Sequence, residues 1–156
     1  NRMRYPLEVL DAVRAVWPAE RPLAVALGAT DWAPGGLDVD DAISIAVALK
    51  AHGCDLVEIL GGQTTPDAEP PYGRGFLTAL GDRVRNGARI PTLVGGYLTT
   101  TGEINAMLAA GRADLCIMES PELAELREDD ASGTPVVDTT SAPARERVGK
   151  AIRGAR

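Results

Sequence analysis

The chain has 156 residues, a length typical of one domain, and its 16 basic and 22 acidic side chains leave a formal net charge of −6. An acidic chain without a basic cluster lacks the surface that binds nucleic acid or an anionic membrane. No apolar run approaches the roughly 18 residues of a membrane span, and two cysteines cannot make a disulfide framework, so we expect a cytoplasmic protein with buried thiols.

Two sequence patterns alternate along the chain. Residues 6–17 carry apolar side chains at three-residue spacing, which predicts a helix, and residues 23–27 form an uncharged apolar run typical of a buried strand. The next predicted helices are 38–52, 76–86 and 101–110, the next predicted strands are 56–60, 90–94 and 115–118, and one more helix is predicted to start within 121–127. Asp38 is the predicted N-cap of the second helix. The second, third and fourth helices are followed by Gly53, Gly87 and Gly111, where a left-handed cap favours glycine.

Strands separated by helices predict parallel βαβ units and an α/β fold. Four strands are too few for a closed (β/α)₈ barrel of about 250 residues, which leaves half of a TIM barrel or a small open sheet. A half-barrel has two unpaired edges and an exposed inner face, so we expect self-association or a complementary half-barrel. Residues 1–123 form this predicted unit, and residues 124–156, acidic first and then basic, are predicted to be a polar, flexible tail.

Candidate functional residues follow the predicted strands, because parallel strands present their carboxyl-end loops on one rim. Asp31 could act as a base or merely cap the amides of its own loop. Trp32 and Tyr97 could stack on a small planar molecule, Gln63 and Thr64 could hydrogen-bond it, and the amides of Gly95 and Gly96 could approach a phosphate. No zinc spacing, P-loop or nucleophile elbow occurs, and no metal is predicted.

Several of these motifs occur together in a known family. They are Asn1-Arg2-Met3-Arg4-Tyr5-Pro6-Leu7-Glu8-Val9, Ala29-Thr30-Asp31-Trp32, Gly53-Cys54-Asp55-Leu56, Gly62-Gln63-Thr64-Thr65-Pro66-Asp67-Ala68, Tyr72-Gly73-Arg74 and Ala110-Gly111-Arg112-Ala113-Asp114-Leu115-Cys116. With them, residues 1–123 resemble the second half of an old yellow enzyme-type flavin oxidoreductase. The resemblance is closest to the reductase-like domain of the salicylyl-coenzyme A hydroxylase and anthraniloyl-coenzyme A monooxygenase group.

The resemblance implies a (β/α)₈ barrel that binds FMN at the carboxyl ends of its strands and takes electrons from NAD(P)H. It places strands five to eight in this chain and the family's His pair before residue 1, so Asp31 is the one catalytic candidate here. The implied FMN positions are Ala26, Gly95, Gly96, Glu119 and Ser120. Ala26 stands where relatives have an arginine, and Glu119-Ser120 stands where they have a Gly-Arg or Ala-Arg pair. Each lost charged hydrogen bond is worth about 1.5–3 kcal/mol.

Two hypotheses follow. In the first, the chain resembles an NAD(P)H-dependent FMN oxidoreductase of the ene-reductase type, of which it is the carboxyl-terminal half with key flavin contacts replaced. In the second, it is a flavin-free half-barrel that acts as a binding or assembly module, or as a flavin-independent enzyme. The family resemblance favours the first hypothesis. The substitutions at Ala26, Glu119 and Ser120 favour the second.

Overall fold

The computed structural model describes residues 2–62 and 65–118, so the predicted last helix and the predicted tail lie outside the described residues. The helices are α1 (Arg4–Val16), α2 (Val39–Ala51), α3 (Thr78–Ala88) and α4 (Thr101–Ala109). The strands are β1 (Ala24–Gly28), β2 (Leu56–Leu60), β3 (Thr92–Val94) and β4 (Leu115–Cys116), all parallel and in the order β1-β2-β3-β4. The predicted α/β fold, four parallel strands alternating with helices as in half of a TIM barrel, is confirmed.

The ends of α2 and α4 follow from local side-chain chemistry. The carboxylate of Asp38 accepts the amides of Asp40 and Asp41, both at 2.9 Å, and Asp41 returns a bond to the amide of Asp38, which completes a capping box. Gly53 (φ +88°) and Gly111 (φ +67°) follow α2 and α4 in the left-handed conformation, as predicted.

The prediction that Gly87 ends α3 is wrong. The helix continues to Ala88, and the left-handed residue is Arg89, with φ +52°. Gly87 instead faces α2, where an added β carbon would lie 2.9 Å from Cγ2 of Ile43. The glycine therefore permits a close approach of two helices, which periodicity along one helix cannot reveal.

The hydrophobic core lies between the helices and one face of the sheet. Val57, Ile59 and Val94 are fully buried there. Cys54 and Cys116 belong to the same core, as predicted, and burial raises the pKa of both thiols, that of Cys116 to about 11. The core also contains side chains from all four helices, including Leu10, Ala42, Ala46, Leu49, Leu80, Val84, Ile104 and Met107.

The opposite face of the sheet is called the inner face here, because it would point into a closed barrel. One row of register partners crosses all four strands on this face, namely Ala26, Glu58, Leu93 and Leu115. Strand alternation adds Ala24, Gly28, Leu56 and Leu60 to it. None of these eight residues is part of the core cluster, and Leu60 is 45% exposed. The inner face is thus largely apolar with a single carboxylate, that of Glu58.

At the amino end of the sheet, Asp55 connects the start of β2 to the start of β1. Its Oδ2 accepts the amide of Leu23 at 3.0 Å and the guanidinium of Arg14 at 3.1 Å. The amide of Asp55 donates to the carbonyl of Leu23 at 2.9 Å, which closes the pair. Gly53 leaves room for Arg14, because a β carbon there would lie 3.0 Å from its Cδ.

Asp114 repeats the arrangement of Asp55 at the start of β4. Its Oδ2 accepts the amide of Thr92 and Nε of Arg85, both at 2.9 Å, and its own amide donates to the carbonyl of Thr92 at 3.1 Å. The second carboxylate oxygen accepts Nη2 of Arg85 at 3.0 Å, and this pairing raises the pKa of the guanidinium. The described chain is therefore two successive α-β-α-β units with the same connection.

Candidate functional site at the carboxyl ends of the strands

Asp31 lies just beyond β1 and closes its own loop. Its Oδ2 accepts the amide of Leu37 at 2.7 Å, and its amide donates to the carbonyl of Leu37 at 2.9 Å. Gly36 passes so close that an added β carbon would lie 2.8 Å from Cβ of Asp31. This is the geometry of the loop-capping alternative, and a role for Asp31 as a base stays a prediction.

Trp32 covers the end of the neighbouring strand. It has a φ of +53°, its amide donates to Oγ1 of Thr30 at 3.2 Å, and its indole packs on Gly61 and Gly62. The indole Nε1 is buried and has no hydrogen-bond partner among the described residues. The ring therefore packs between the loop after β1 and the loop after β2, and its indole N–H is a hydrogen-bond donor at that position.

Tyr97 follows the Gly95-Gly96 pair after β3 and belongs to an aromatic cluster. Its ring centroid lies 5.8 Å from that of Phe76 and 6.3 Å from that of Tyr72, and the latter two lie 5.5 Å apart. Tyr97 has a φ of +57° and is 47% exposed. Within the described residues Tyr97 makes no ring contact with Trp32, so the two predicted stacking residues do not form one platform.

The two glycines after β3 are close to side chains of this chain. A β carbon on Gly96 would lie 3.0 Å from two ring atoms of Phe76, and one on Gly95 would lie 3.4 Å from Cβ of Ile117. The carbonyl of Gly96 accepts the amide of Gly75 at 2.7 Å. Internal packing and a φ of +94° are therefore enough to explain Gly96, whereas the distance at Gly95 is an ordinary van der Waals contact. A phosphate contact at Gly95 and Gly96 stays a prediction.

The helix that follows this loop has its own carboxylate at its amino end. Oγ1 of Thr100 accepts the amide of Glu103 at 3.3 Å, and Oε2 of Glu103 accepts the hydroxyl of Thr100 at 3.0 Å. That hydroxyl bond holds the pKa of Glu103 below its usual range. Glu103 therefore supplies the negative charge that the start of α4 favours.

Arg74 lies beside these groups and pairs with Glu103. Nε of Arg74 lies 3.1 Å from Oε1 of Glu103, and Nη2 donates to Oγ1 of Thr99 at 2.6 Å. A groove of about 510 Å³ opens beside them between α3 and α4, with Leu98 and Met107 among its lining residues. Arg74 is thus engaged within the chain.

Ala26, an implied flavin position, lies on the inner face at mid-strand. Its register partner on β2 is Glu58, whose next partner on β3 is Leu93. The structure assigns Glu58 no hydrogen bond or ion pair with any described residue. A ligand over this part of the sheet would therefore meet a carboxylate beside the small Ala26 side chain.

Four predicted site residues, Gln63, Thr64, Glu119 and Ser120, lie outside the described residues. The sequence-based site also missed three residues that the structure brings to the rim or the inner face, namely Glu58, Tyr72 and Phe76. A sequence signal existed for two of them. Tyr72 belongs to a quoted family motif, and Glu58 is the one charge in the apolar run 56–60.

Within residues 2–62 and 65–118, no helix combines the length and apolar character that crossing a membrane requires. The same residues contain no group of three or more histidine, cysteine, aspartate or glutamate side chains that could hold a metal ion.

Comparison with known proteins identifies relatives of the chain. It is 35% identical over 118 residues to an NADPH dehydrogenase of Listeria innocua and 36% identical over 118 residues to one of Geobacillus thermodenitrificans. Over this stretch the chain is homologous to NADPH dehydrogenases. The match covers 76% of this chain and 34% of each relative, so the chain spans about a third of the length of these NADPH dehydrogenases. No family model matches. This similarity supports the sequence-based resemblance to part of such an oxidoreductase.

Proposed function

We propose that the chain supplies the carboxyl-terminal half of an NADPH-dependent FMN oxidoreductase barrel of the ene-reductase type and needs a complementary half-barrel for activity. The observation that supports this most is the homology to part of the NADPH dehydrogenases, combined with a parallel sheet of four strands whose outer strands, β1 and β4, pair with no further strand among the described residues. A rim built from four strands offers half of the loops that a closed barrel would direct at its ligand.

The described residues by themselves fit FMN poorly. FMN carries an anionic phosphate and a planar ring. The inner face presents Glu58 and, within the described residues, no lysine or arginine, while Arg74 near the rim is paired with Glu103. The space beside Gly96 is filled by the ring of Phe76, so the absence of a side chain at Gly96 leaves no open cleft for a phosphate. The positive contacts for a flavin would therefore have to come from the complementary half.

A second candidate function is a flavin-free half-barrel that binds or assembles with another chain. The position of Glu58 beside Ala26 favours it, because a carboxylate without a cation repels an anionic cofactor. Under this alternative the rim loops at Trp32 and Tyr97 would bind a small planar molecule without flavin. Substituting Trp32→Ala and Asp31→Asn separately would then weaken binding of such a molecule, whereas Glu8→Gln on the outer surface of α1 would not.

Closer kinship to the salicylyl-coenzyme A hydroxylase and anthraniloyl-coenzyme A monooxygenase group is part of this proposal, and so is a cytoplasmic location. The quoted motifs support the kinship, especially Gly62-Gln63-Thr64-Thr65-Pro66-Asp67-Ala68 followed by Tyr72-Gly73-Arg74.

The proposed function is tested with and without a complement. FMN is titrated into the purified chain, and into the chain mixed with the amino-terminal part of the Geobacillus thermodenitrificans relative, with flavin fluorescence as the signal. NADPH oxidation is followed in the same samples. We expect the chain alone to bind FMN with a Kd weaker than about 10 μM, or about 7 kcal/mol, and turnover only in the mixture. Sub-micromolar FMN binding by the chain alone would refute the fit argument, and a stable mixture without flavin would favour the second function.

A further inference from the structure

The segment between β2 and α3 crosses the carboxyl rim of the sheet. Residues 69–77, called the strap here, contact the loops that follow β1 and β3. At one end of the strap the amide of Glu69 donates to the carbonyl of Trp32 at 3.0 Å, and at the other end the amide of Gly75 donates to the carbonyl of Gly96 at 2.7 Å. The strap therefore connects two rim loops that belong to different strands.

The two ends of the strap are held by different contacts. At the first end, the bond from Glu69 to Trp32 is accompanied by packing, because a β carbon added to Gly62 would lie 3.3 Å from Cγ of Pro70. At the second end, the main-chain bond is accompanied by the charged side chain of Arg74. Changing Arg74 should therefore affect the second end and spare the first.

Arg74 connects the strap to the segment that follows β3. Its Nη2 donates to Oγ1 of Thr99 at 2.6 Å and to Oε2 of Glu103 at 3.2 Å, and its Nε lies 3.1 Å from Oε1 of Glu103. A guanidinium that engages both carboxylate oxygens is fixed in direction as well as in distance. Because Arg74 immediately precedes Gly75, these contacts keep the Gly75 amide within reach of the carbonyl of Gly96. The ion pair is partly exposed, so its effect on global stability should be small.

The bond from Gly75 to Gly96 orients one peptide group of the rim. No described peptide bond is cis, so the N–H of Tyr97 points opposite to the carbonyl of Gly96 in the peptide that these two residues share. Since that carbonyl is turned to the strap, the amide of Tyr97 is turned away from it. Gly96 and Tyr97 have φ values of +94° and +57°, and a non-glycine residue such as Tyr97 stays in the left-handed region only where its surroundings hold it. The strap supplies part of that constraint.

We propose that Arg74 is a positioning residue for the rim. By keeping the strap in place, it holds the amide of Tyr97 turned away from the strap, where an oxygen of a ligand over the rim can accept its N–H. Arg74 itself does not touch the ligand in this role, because its guanidinium is engaged by Thr99 and Glu103. The presence of a ligand over this rim rests on the proposed function, whereas the contacts of Arg74 rest only on described residues.

The test is amide hydrogen exchange of the full chain, measured by NMR without FMN or NADPH and expressed as protection factors. In Arg74→Ala the protection of the Gly75 amide should fall by about fivefold or more, as expected when a local opening equilibrium loses a partly exposed ion pair and a hydrogen bond. Two other amides should keep their wild-type protection, that of Glu69 at the first end of the strap and that of Val57, which donates to Pro91 beside β3. A contribution to global stability would instead lower the protection of all three amides together.

The conformation of Tyr97 is the second readout. Its amide proton and its Hα lie closer together at positive φ than at negative φ, so the nuclear Overhauser effect between them should weaken in Arg74→Ala. Arg74→Lys, which keeps the charge, should restore part of this effect and part of the Gly75 protection. Arg83→Ala is the matched control, since Arg83 also pairs with a carboxylate, that of Asp40 at 2.6 Å, where it links α3 to α2. The control should change neither readout.

The proposal is overturned if Arg74→Ala leaves the protection of Gly75 unchanged, which would mean that the aromatic cluster around Tyr97 is enough to hold this end of the strap. It is also overturned if the protection of Val57 falls equally, if Tyr97 keeps its wild-type signal, or if Arg83→Ala has the same effect as Arg74→Ala. None of these readouts uses flavin or turnover, so an inactive mixture in the test of the proposed function would leave them valid.

Discussion

Gly62 and Trp32 pack so closely that a β carbon on Gly62 would overlap Cδ1 of the indole ring. Both residues are in the left-handed region, with φ values of +78° for Gly62 and +53° for Trp32. The indole nitrogen also lies 3.0 Å from the position of that β carbon. The contact ties the loop after β1 to the loop after β2, so the shape of the rim depends on the absence of a side chain at Gly62.

Replacing Gly62 by alanine should therefore disturb both the rim and the fold. We expect Gly62→Ala to lower the free energy of unfolding by about 2 kcal/mol or more, from backbone strain and overlap with the indole, and to shift the emission of Trp32 in a Trp17→Phe background. Gly73→Ala is the matched control, because no atom lies within 4 Å of its added β carbon. An unchanged emission and stability in Gly62→Ala would contradict the geometry.

Gly87 offers a sharper test of helix packing. For Gly87→Ala, helix propensity and steric contact predict changes of opposite sign in the free energy of unfolding. In a free helix Gly→Ala stabilises by about 0.5–1 kcal/mol, but here the new methyl would meet Ile43 of α2. We expect Gly87→Ala to destabilise, and Ile43→Ala to relieve part of that cost in a double-mutant cycle measured by denaturant unfolding. Gly102→Ala, in the open at the start of α4, should not destabilise the protein. A stabilised Gly87→Ala variant would show that the helices move apart freely.

The order of helices and strands could be predicted from the sequence because periodicity and capping are local. Asp38, Gly53 and Gly111 each shape the backbone within a few residues of their own position in the sequence. Gly87 could not be interpreted in this way, because its role depends on a residue 44 positions earlier on another helix. The strand predicted over 90–94 begins only at Thr92, and the cause is local, since Pro91 has no amide to donate to a ladder.

The clamp at Asp114 should contribute to stability. Asp114→Ala leaves both the amide of Thr92 and the guanidinium of Arg85 without their acceptor. Charged hydrogen bonds of this kind contribute about 1.5–3 kcal/mol, so we expect the free energy of unfolding to fall by an amount in that range. Asp67→Asn, at an exposed loop position, is the control. A loss below 0.5 kcal/mol, within the usual scatter of surface substitutions of roughly that size, would mean that water replaces the carboxylate at no cost.

The buried thiols should make the protein sensitive to alkali. Burial raises the pKa of Cys116 from 9.0 to about 11, so the folded chain keeps its proton where the unfolded chain loses it. The free energy of unfolding is then unaffected below pH 9 and falls as the pH rises from 9 towards 11. Between pH 9 and pH 11 the unfolding temperature should fall less steeply in Cys116→Ala than in the wild type. Iodoacetamide should label neither Cys54 nor Cys116 in the folded protein at pH 8, and rapid labelling there would contradict the burial.

The candidate site was less predictable than the fold for a physical reason. Loop residues such as Asp31 and Tyr97 could be assigned to the rim because they follow strands. Their partners could not be assigned, because Tyr72 and Phe76 come from a segment before α3 and meet Tyr97 only in the folded chain. The neighbour of Ala26 was equally hidden. Which residue of β2 faces Ala26 depends on register, and a shift of one residue would turn Glu58 away from the inner face.

That register changes what restoring the family arginine should do. An arginine at position 26 would lie beside Glu58, its register partner on β2. The two side chains would form an ion pair with each other, so the guanidinium would not be available to a ligand. We therefore expect Ala26→Arg alone to leave FMN binding nearly as weak as in the wild type. Ala26→Arg combined with Glu58→Gln should bind FMN more tightly by about tenfold or more, because a charged hydrogen bond worth about 1.5–3 kcal/mol is then free for the flavin.

The measurement is FMN fluorescence quenching by the four proteins of this cycle, namely the wild type, the two single variants and the double variant. Glu58→Gln alone supplies the control, since it removes the repulsion without adding a cation and should have the smaller effect. The coupling between the two positions distinguishes pairing from simple addition of charge. If Ala26→Arg alone strengthened FMN binding as much as the double variant did, Glu58 would not face position 26 in solution, and the register between β1 and β2 would differ from the one described.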